Sequence, residues 1–385
     1  MKYRFILVLS CALGISFSLF YNKILIVQNP IISYSYPLVG MTEKIKKKVS
    51  FYYWDGKTLK SETHQLLLPE DKVQEIEIVI KRWLTILDEE KQTLHKVSLQ
   101  LISLNAYGTE LFISLDQLPF NTESSLYDKI QRLEGLLRTL RELSNIETVR
   151  LFVHHETPYD SHLDLSQSLQ LSGYSTHEAK GVHTKQLCPV KKIMIDPVGD
   201  ALYPGRCLGE DFERTVTLLC AQKLKEYIES NSKSISVIIT HSPGEIVEPL
   251  QNAAFANRAD VNLYISIYAY HEQGPASILW MFNTLYNPIE LAYAYNGSSL
   301  DLCPYDHAYR YNIQASHKLA QDLAKAMLKV SSRGFMVEGP YAFPLRSLQG
   351  VKSTSLCCEF GLAKSQDWMS MVEALAKAII AYSNT

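Results

Sequence analysis

The chain lacks an excess of either charge. Its 385 residues carry 38 Lys and Arg against 40 Asp and Glu, a formal net charge of −2. That balance excludes the strongly basic footprint of a nucleic-acid-binding surface, and no nucleic-acid partner is expected. The one basic run, Lys44-Ile45-Lys46-Lys47-Lys48, reads as a solvated flank. Cysteine is sparse too: seven residues, at 11, 188, 207, 220, 303, 357 and 358, an odd number with no CxxC spacing. Neither a zinc ribbon nor a dense disulfide framework is implied. Cys220, Cys357 and Cys358 sit in apolar patterns and read as small core residues.

Long apolar runs are missing except for one. Residues 5–20, FILVLSCALGISFSLF, follow Lys2 and Arg4. The run is too long for most core strands and slightly short for a comfortable membrane span. No small-x-small cleavage site follows it, and SLFYNKILIV continues the apolar character. Residues 1–27 are therefore read as a membrane anchor, with a cleaved signal peptide as the alternative. The rest of the chain is expected outside the cytoplasm, in the cell envelope. Cys11 lies too early in the run to be a lipoprotein acceptor.

Residues 28–47, irregular and Pro-containing, read as a tether. A compact α+β unit is expected over 48–155. KVSFYYWDGKTL reads as a strand with an Asp55-Gly56 turn. Residues 71–89 place Val73, Ile76, Ile80, Trp83 and Leu87 at helical spacing, with Asp71 as cap. Two strands meet at Gly108, a helix starts near Ser125 with Ile130, Leu133, Leu137 and Leu140 on one face, and ETVRLFVHH closes as a strand. His154 and His155 end that strand; adjacent strand residues face opposite ways and cannot easily share one site. Residues 156–190, polar and aperiodic, read as a linker, with His162, His177 and His183 exposed to solvent.

From 191 to 385 strands and helices alternate, which predicts an α/β domain with a mainly parallel sheet. KKIMIDP, ISVIITH, NLYISIYAY, FPLRSL and STSLCCEFG read as strands; helices are expected over 210–230, 244–259, 314–330 and 367–383. Residues 273–311, rich in Tyr and Asn, read as an insertion. In doubly wound sheets, sites form at the carboxyl ends of strands.

Four blocks of this half, KKIMIDPVGDALYPG, GEDFERTVTLLCAQKLKEYIE, VNLYISIYAYH and STSLCCEFGLAK, resemble those of the zinc-dependent N-acetylmuramoyl-L-alanine amidases of bacterial peptidoglycan. The 48–155 unit, with its strand pair ending in LFISLD and its terminal VRLFV, resembles the GerMN domain. GerMN modules often precede such amidases and are taken as binding or assembly modules. The resemblance implies zinc held by a His in DPGHGG, a Glu opening the first helix and a His in FISIHAN. A Glu in the last strand, in a motif like LVELGF, serves as general base. Three protein ligands and an open position would lower the pKa of bound water and polarise the scissile carbonyl, with the separate carboxylate moving the proton.

In this chain the helix glutamate corresponds to Glu213, in FERTVTL, and the base to Glu359, in LCCEFG. Gly199 and Tyr268 stand where the family has its two histidines. Two lost ligands imply that no cofactor is held, or zinc only through substitutes drawn from Asp196, Asp200, His241, His271 and His307. Histidines placed at 199 and 268 are expected to rebuild a His–Glu–His site with Glu213. Three functions follow: a catalytically degenerate amidase relative that binds peptidoglycan, an active zinc amidase with substitute ligands, or an envelope-assembly protein acting through the GerMN-like module. Whether the chain is an enzyme stays open at the level of sequence.

Overall fold

Alternating apolar residues at Val49, Phe51 and Tyr53 bury one face of strand β1 (Lys44–Trp54). Asp55 holds the turn that follows, its Oδ1 accepting from the Lys57 and Thr58 amides at 2.7 Å each. The chain returns antiparallel as β2 (Leu59–Pro69). The Lys44–Lys48 run is thus the mostly exposed start of β1. These relations come from a computed structural model that describes residues 44–89, 98–143, 146–171, 190–248, 250–283, 305–330, 334–364 and 366–383. The chain divides into Met1–Glu43 and the compact unit Lys44–Thr385, which holds every described residue. The expected anchor at 1–27, most of the tether, His177, His183 and most of the 273–311 insertion lie outside the described residues. Among the described residues no helix is long and apolar enough to cross a membrane.

Helix α1 (Lys72–Glu89) buries Ile76, Ile80, Trp83 and Leu87, as its 3.6-residue spacing demands. Asp71 Oδ1 caps it by accepting from the Gln74 amide at 2.9 Å. A hairpin follows, β3 (Leu101–Tyr107) with β4 (Glu110–Leu115), then α2 (Leu126–Arg141), β5 (Thr148–Val153) and the short β6 (Leu169–Gln170). The sheet order is β3-β4-β5-β6, with β4 and β5 parallel. Ser125 caps α2, its hydroxyl accepting from the Asp128 amide at 3.1 Å. Gly135 lets α2 press onto β1: a Cβ there would stand 2.8 Å from the Tyr52 carbonyl oxygen. His154 and His155 leave β5 in left-handed conformations and stay exposed.

The second half supplies β7 (Lys192–Pro197), the small ladder β8 (Cys207–Leu208) with β9 (Asp211–Phe212), α3 (Glu213–Asn231), β10 (Ser236–Ile239) and α4 (Gln251–Ala259). It continues with β11 (Leu263–His271), β12 (Ser277–Asn283), α5 (Ile313–Val330), β13 (Met336–Phe343), β14 (Thr354–Leu362) and α6 (Trp368–Ser383). One six-stranded sheet runs β10-β7-β11-β14-β12-β13 and is parallel except between β14 and β12. Three sequence expectations shift. The helix foreseen over 244–259 starts only at Gln251. The FPLRSL segment ends β13 and forms a 3-10 turn, Arg346–Leu348, and the start of the expected insertion is strand β12.

The two faces of this sheet are dressed differently. Ile193, Ile195, Ile265, Ile267, Ala269, Cys358 and Phe360 face one apolar core with Val216, Leu224, Leu323 and Leu375 of α3, α5 and α6. Met194, Tyr264, Tyr268 and Cys357 point the other way, as strand alternation requires. They join a core continuous with Phe51, Trp83, Leu133 and Leu151 of the first half. Leu163, Leu165, Leu169 and Leu171 belong to that same core. The polar 156–171 stretch is therefore packed, and His162, expected in solvent, is 1 % exposed. Its surroundings explain why.

Candidate functional site

Glu213 is the first residue of α3 and is fully buried. Gly205, at φ +76°, lets the preceding loop lie against it; a Cβ there would fall 2.7 Å from Glu213 Oε2. That approach delivers the Arg206 amide to Oε2 at 3.0 Å, while the Ala269 amide of β11 donates to Oε1 at 2.9 Å. His162 Nε2 reaches the two oxygens at 3.1 and 3.0 Å.

Glu359, on β14, is equally buried. Arg206 Nη1 donates to its Oε1 at 2.7 Å and stands 3.7 Å from Glu213 Oε1, so one guanidinium lies against both carboxylates. Nη1 also donates to the Ala269 carbonyl at 3.0 Å. Arg206 Nε and Nη2 are buried with no hydrogen-bond partner among the described residues. From the other half of the unit, the first amide of α2, Leu126 N–H, donates to both Glu359 oxygens at 3.1 and 3.0 Å. A helix N-terminus carries partial positive charge and suits a carboxylate.

The ring closes one turn along α2. Lys129, fully buried, donates to Asp160 Oδ2 at 2.7 Å and lies 3.5 Å from His162 Nδ1. Asp160 Oδ1 accepts from the His162 and Leu163 amides at 3.0 and 2.9 Å, which holds the imidazole in place. Six side chains and one helix end thus form a continuous polar cluster between the two halves.

Protonation follows from the surroundings. Burial lowers His162 to about 4, helped by the Arg206 charge and, after the opposing pull of Glu213, by Lys129. The neutral ring then carries its proton on Nε2, donating to Glu213, and Nδ1 accepts from Ser161 Oγ at 2.8 Å. Burial works to raise Glu213, but His162 and Arg206 outweigh it and hold the carboxyl at about 2. Asp160 is likewise at about 2, because Lys129 and His162 overcome burial. Burial lowers Lys129 and raises Glu359, Arg206 pulling the latter back. The guanidinium of Arg206 stays charged: burial opposes it, and the Glu213 and Glu359 charges more than offset that.

The structure brings Glu213 and Glu359 together, with His162, Arg206, Lys129 and Asp160 added. It does not give Gly199 or Tyr268 a ligand's geometry. Gly199 sits at φ +91°, where a Cβ would lie 2.6 Å from Arg214 Cβ, so α3 closes the space a histidine there needs. A histidine at 199 therefore has to displace Arg214 before the expected site with Glu213 and position 268 could form. Tyr268 donates its hydroxyl to Ser347 Oγ at 2.7 Å and meets the His162 ring edge-on, centroids 4.8 Å apart. Three of the substitutes, Asp196, Asp200 and His241, line one cavity, with His241 Nδ1 3.0 Å from Thr240 Oγ1, but they form no group among the described residues that could hold a metal. Asp200 accepts from the Leu202, Tyr203 and Val247 amides, His271 is exposed, and Asp196 is bound by Thr240 and Asn252. The side chain of His307 lies outside the described residues. No group of three or more His, Cys, Asp or Glu among the described residues could hold a metal. These groups do not fit a zinc site, because the atoms of Glu213 and His162 that would bind it are committed to each other and to Arg206.

Sequence reasoning missed Arg206, His162, Lys129 and Asp160. One signal was present: Lys129 lies on the apolar stripe of α2 between Leu126 and Leu133, where a charge implies a buried partner.

Beside the cluster, at the carboxyl ends of β7 and β10, a cavity of about 380 Å³ opens between the 156–162 segment, α4 and the Arg346–Leu348 turn.

No family model matches the chain, and no curated protein matches it. Among solved structures it is similar to the catalytic domain of CwlV, an N-acetylmuramoyl-L-alanine amidase from Bacillus (Paenibacillus) polymyxa var. colistinus. That similarity has 16 % identity and a TM-score of 0.36, over 50 % of this chain and 98 % of that one. It is similar to the CwlD amidase from Clostridioides difficile, solved in complex with the GerS lipoprotein, at 17 % identity and TM-score 0.32, over 50 % and 98 %. A putative lipoprotein from Clostridium perfringens is similar over 33 % of this chain and 87 % of its own, at 16 % identity and TM-score 0.21.

Proposed function

We propose that this chain is an exported cell-envelope protein on an amidase scaffold that associates with peptidoglycan without cleaving it. Residues 1–27 anchor it to the membrane, 48–155 form a GerMN-like module, and 191–385 form the degenerate amidase half. The reading starts from the sequence blocks around Glu213 and Glu359. The observation that carries it is the single guanidinium of Arg206 set against both carboxylates, with the α2 N-terminus seated on Glu359. Arg206 supplies the positive charge that a metal would bring to two buried carboxylates. The helix end then covers the position from which a general base would have to reach water or substrate.

The test uses the full-length chain in detergent. Elemental mass spectrometry is expected to find below about a tenth of a zinc per chain, since structural or catalytic zinc sites bind strongly enough to survive purification. Incubation with purified sacculi is expected to retain the protein and to release no stem peptide. One equivalent of zinc, with peptide release abolished by Glu359→Gln, would reverse the reading in favour of an active amidase. Failure to sediment with sacculi would instead favour the assembly role. That alternative draws support from the core shared between the first half and the sheet.

A further inference from the structure

Most polar groups that line the cavity beside the cluster are bonded to the fold, and two of them, the Arg346 guanidinium and Asn252 Oδ1, are left open. Arg346 lines it, its guanidinium 4.4 Å from the centre of the Tyr159 ring. Among the described residues that guanidinium has no hydrogen bond and no carboxylate partner. Stacking fixes the plane of the group while leaving its fork of donors open. On the floor, Asn252 Nδ2 donates to Asp196 Oδ1 at 2.7 Å, which orients the amide, and Asn252 Oδ1 is buried with no hydrogen-bond partner. A buried acceptor left open in this way costs free energy until a donor reaches it.

The rim is apolar. Tyr159, Leu202, Tyr203, Ile246 and Leu250 are 45–58 % exposed and all border the same opening. Large apolar side chains exposed singly are ordinary, but five around one mouth form a patch. The lining also carries Asp200 and Glu248, so a polyanion such as a nucleotide is repelled. The volume lies at the small end of the usual range for small-molecule sites, ~300–1,000 Å³.

We propose that this cavity binds a short peptide through its free C-terminal carboxylate. The carboxylate pairs with Arg346 in the bidentate geometry that guanidinium favours. A backbone N–H of the peptide donates to Asn252 Oδ1, and its side chains lie on the tyrosine and leucine rim. His162 and Gly205 border both the cavity and the Arg206 cluster, but the two contacts proposed here, at Arg346 and Asn252, lie outside that cluster and do not depend on how it is read.

The experiment titrates the full-length chain with N-acetyl-alanyl-alanine and, separately, with the C-terminal amide of the same peptide, followed by calorimetry. The acid is expected to bind at least about tenfold more tightly than the amide, the size of one charge-assisted pair. Arg346→Gln is expected to erase that preference, leaving acid and amide equal. Because the amide changes only the ligand, the comparison holds even if the variant misfolds. Equal binding of acid and amide by the unaltered chain, or no binding of either at millimolar concentration, overturns the proposal.

Discussion

Arg206 and Arg346 lie near the carboxyl ends of the same sheet and live in opposite surroundings. Arg206 is 2 % exposed, pressed between Glu359 and Glu213. Arg346 is partly exposed, stacked on Tyr159, with a cavity rather than a carboxylate before it. Around the first, each charge answers another in a ring that begins and ends on α2, at Leu126 and Lys129. Around the second, a cation and an amide oxygen stay open. Arg206 keeps two buried nitrogens without a partner among the described residues, but its Nη1 is committed to two carboxylates; that region joins the halves, while the cation of the other faces a cavity and can bind.

The contrast is tested most severely at Arg206. Arg206→Leu strands two buried carboxylates and is expected to lower the unfolding free energy by about 3–5 kcal/mol in urea titrations. Adding Glu359→Gln should recover part of that loss, since it removes one abandoned charge; coupling of this kind is what a double-mutant cycle reads. A loss below about 1 kcal/mol for Arg206→Leu would mean that water reaches the carboxylates and the ring is not closed.

Acid opens the same ring next. His162 is held at about 4 in the folded protein against an ordinary 6.5. The unfolded chain therefore takes up that proton first, and stability present above pH 6.5 is lost as the pH falls toward 4. The shift corresponds to on the order of 3 kcal/mol. Glu213 and Asp160, both at about 2, continue the loss from their ordinary values of 4.5 and 3.8 downward. Glu359, raised by burial, works the other way and regains some stability below its folded value. Denaturant midpoints between pH 7 and 4 are expected to fall for the unaltered chain and to flatten in His162→Gln. A flat profile for both would show that the imidazole is not buried among cations.

Much of this was legible in the sequence because it is local. The Asp71 cap, the helix start near Ser125, the Gly108 turn, the apolar stripe of α1 and the buried cysteines at 220, 357 and 358 follow from short-range spacing and appear in the fold as expected. The ring did not announce itself. The Leu126–Glu359 bond spans 233 positions and the Arg206–Glu359 pair 153, and neither end carries a local mark of the other. Residues 156–162 read as a linker for the same reason: polarity normally means solvent, and here the polar groups are matched by partners from other segments. Glu213 and Glu359 could be singled out from their motifs. That Arg206 would stand against both could not.

Gly199→His with Tyr268→His sharpens the comparison at a smaller scale. A side chain at 199 meets Arg214 of α3 and a left-handed backbone, which together predict a loss of about 1–3 kcal/mol. Tyr268→His also removes the ring packed against His162. Thermal melts in zinc and in chelator are expected to coincide. A higher melt in zinc would show that α3 can yield and that Arg206 can leave Glu213, which would reopen the closed region.

The smallest effect belongs to Arg346. Its contacts are a partly exposed ring and open space, and a cation over an aromatic ring at such a site contributes only about 0.5–1 kcal/mol. Arg346→Gln without peptide is therefore expected to shift the urea midpoint by no more than that, against the several kcal/mol foreseen for Arg206→Leu in the same assay. The substitution keeps a polar side chain and removes the charge together with the guanidinium stacked on Tyr159, so the difference between the two arginines reports what surrounds each one. If Arg346→Gln cost as much as Arg206→Leu, the guanidinium would have to be tied to carboxylates within the folded chain. The cavity would then be a second piece of the scaffold rather than a place left open for a ligand.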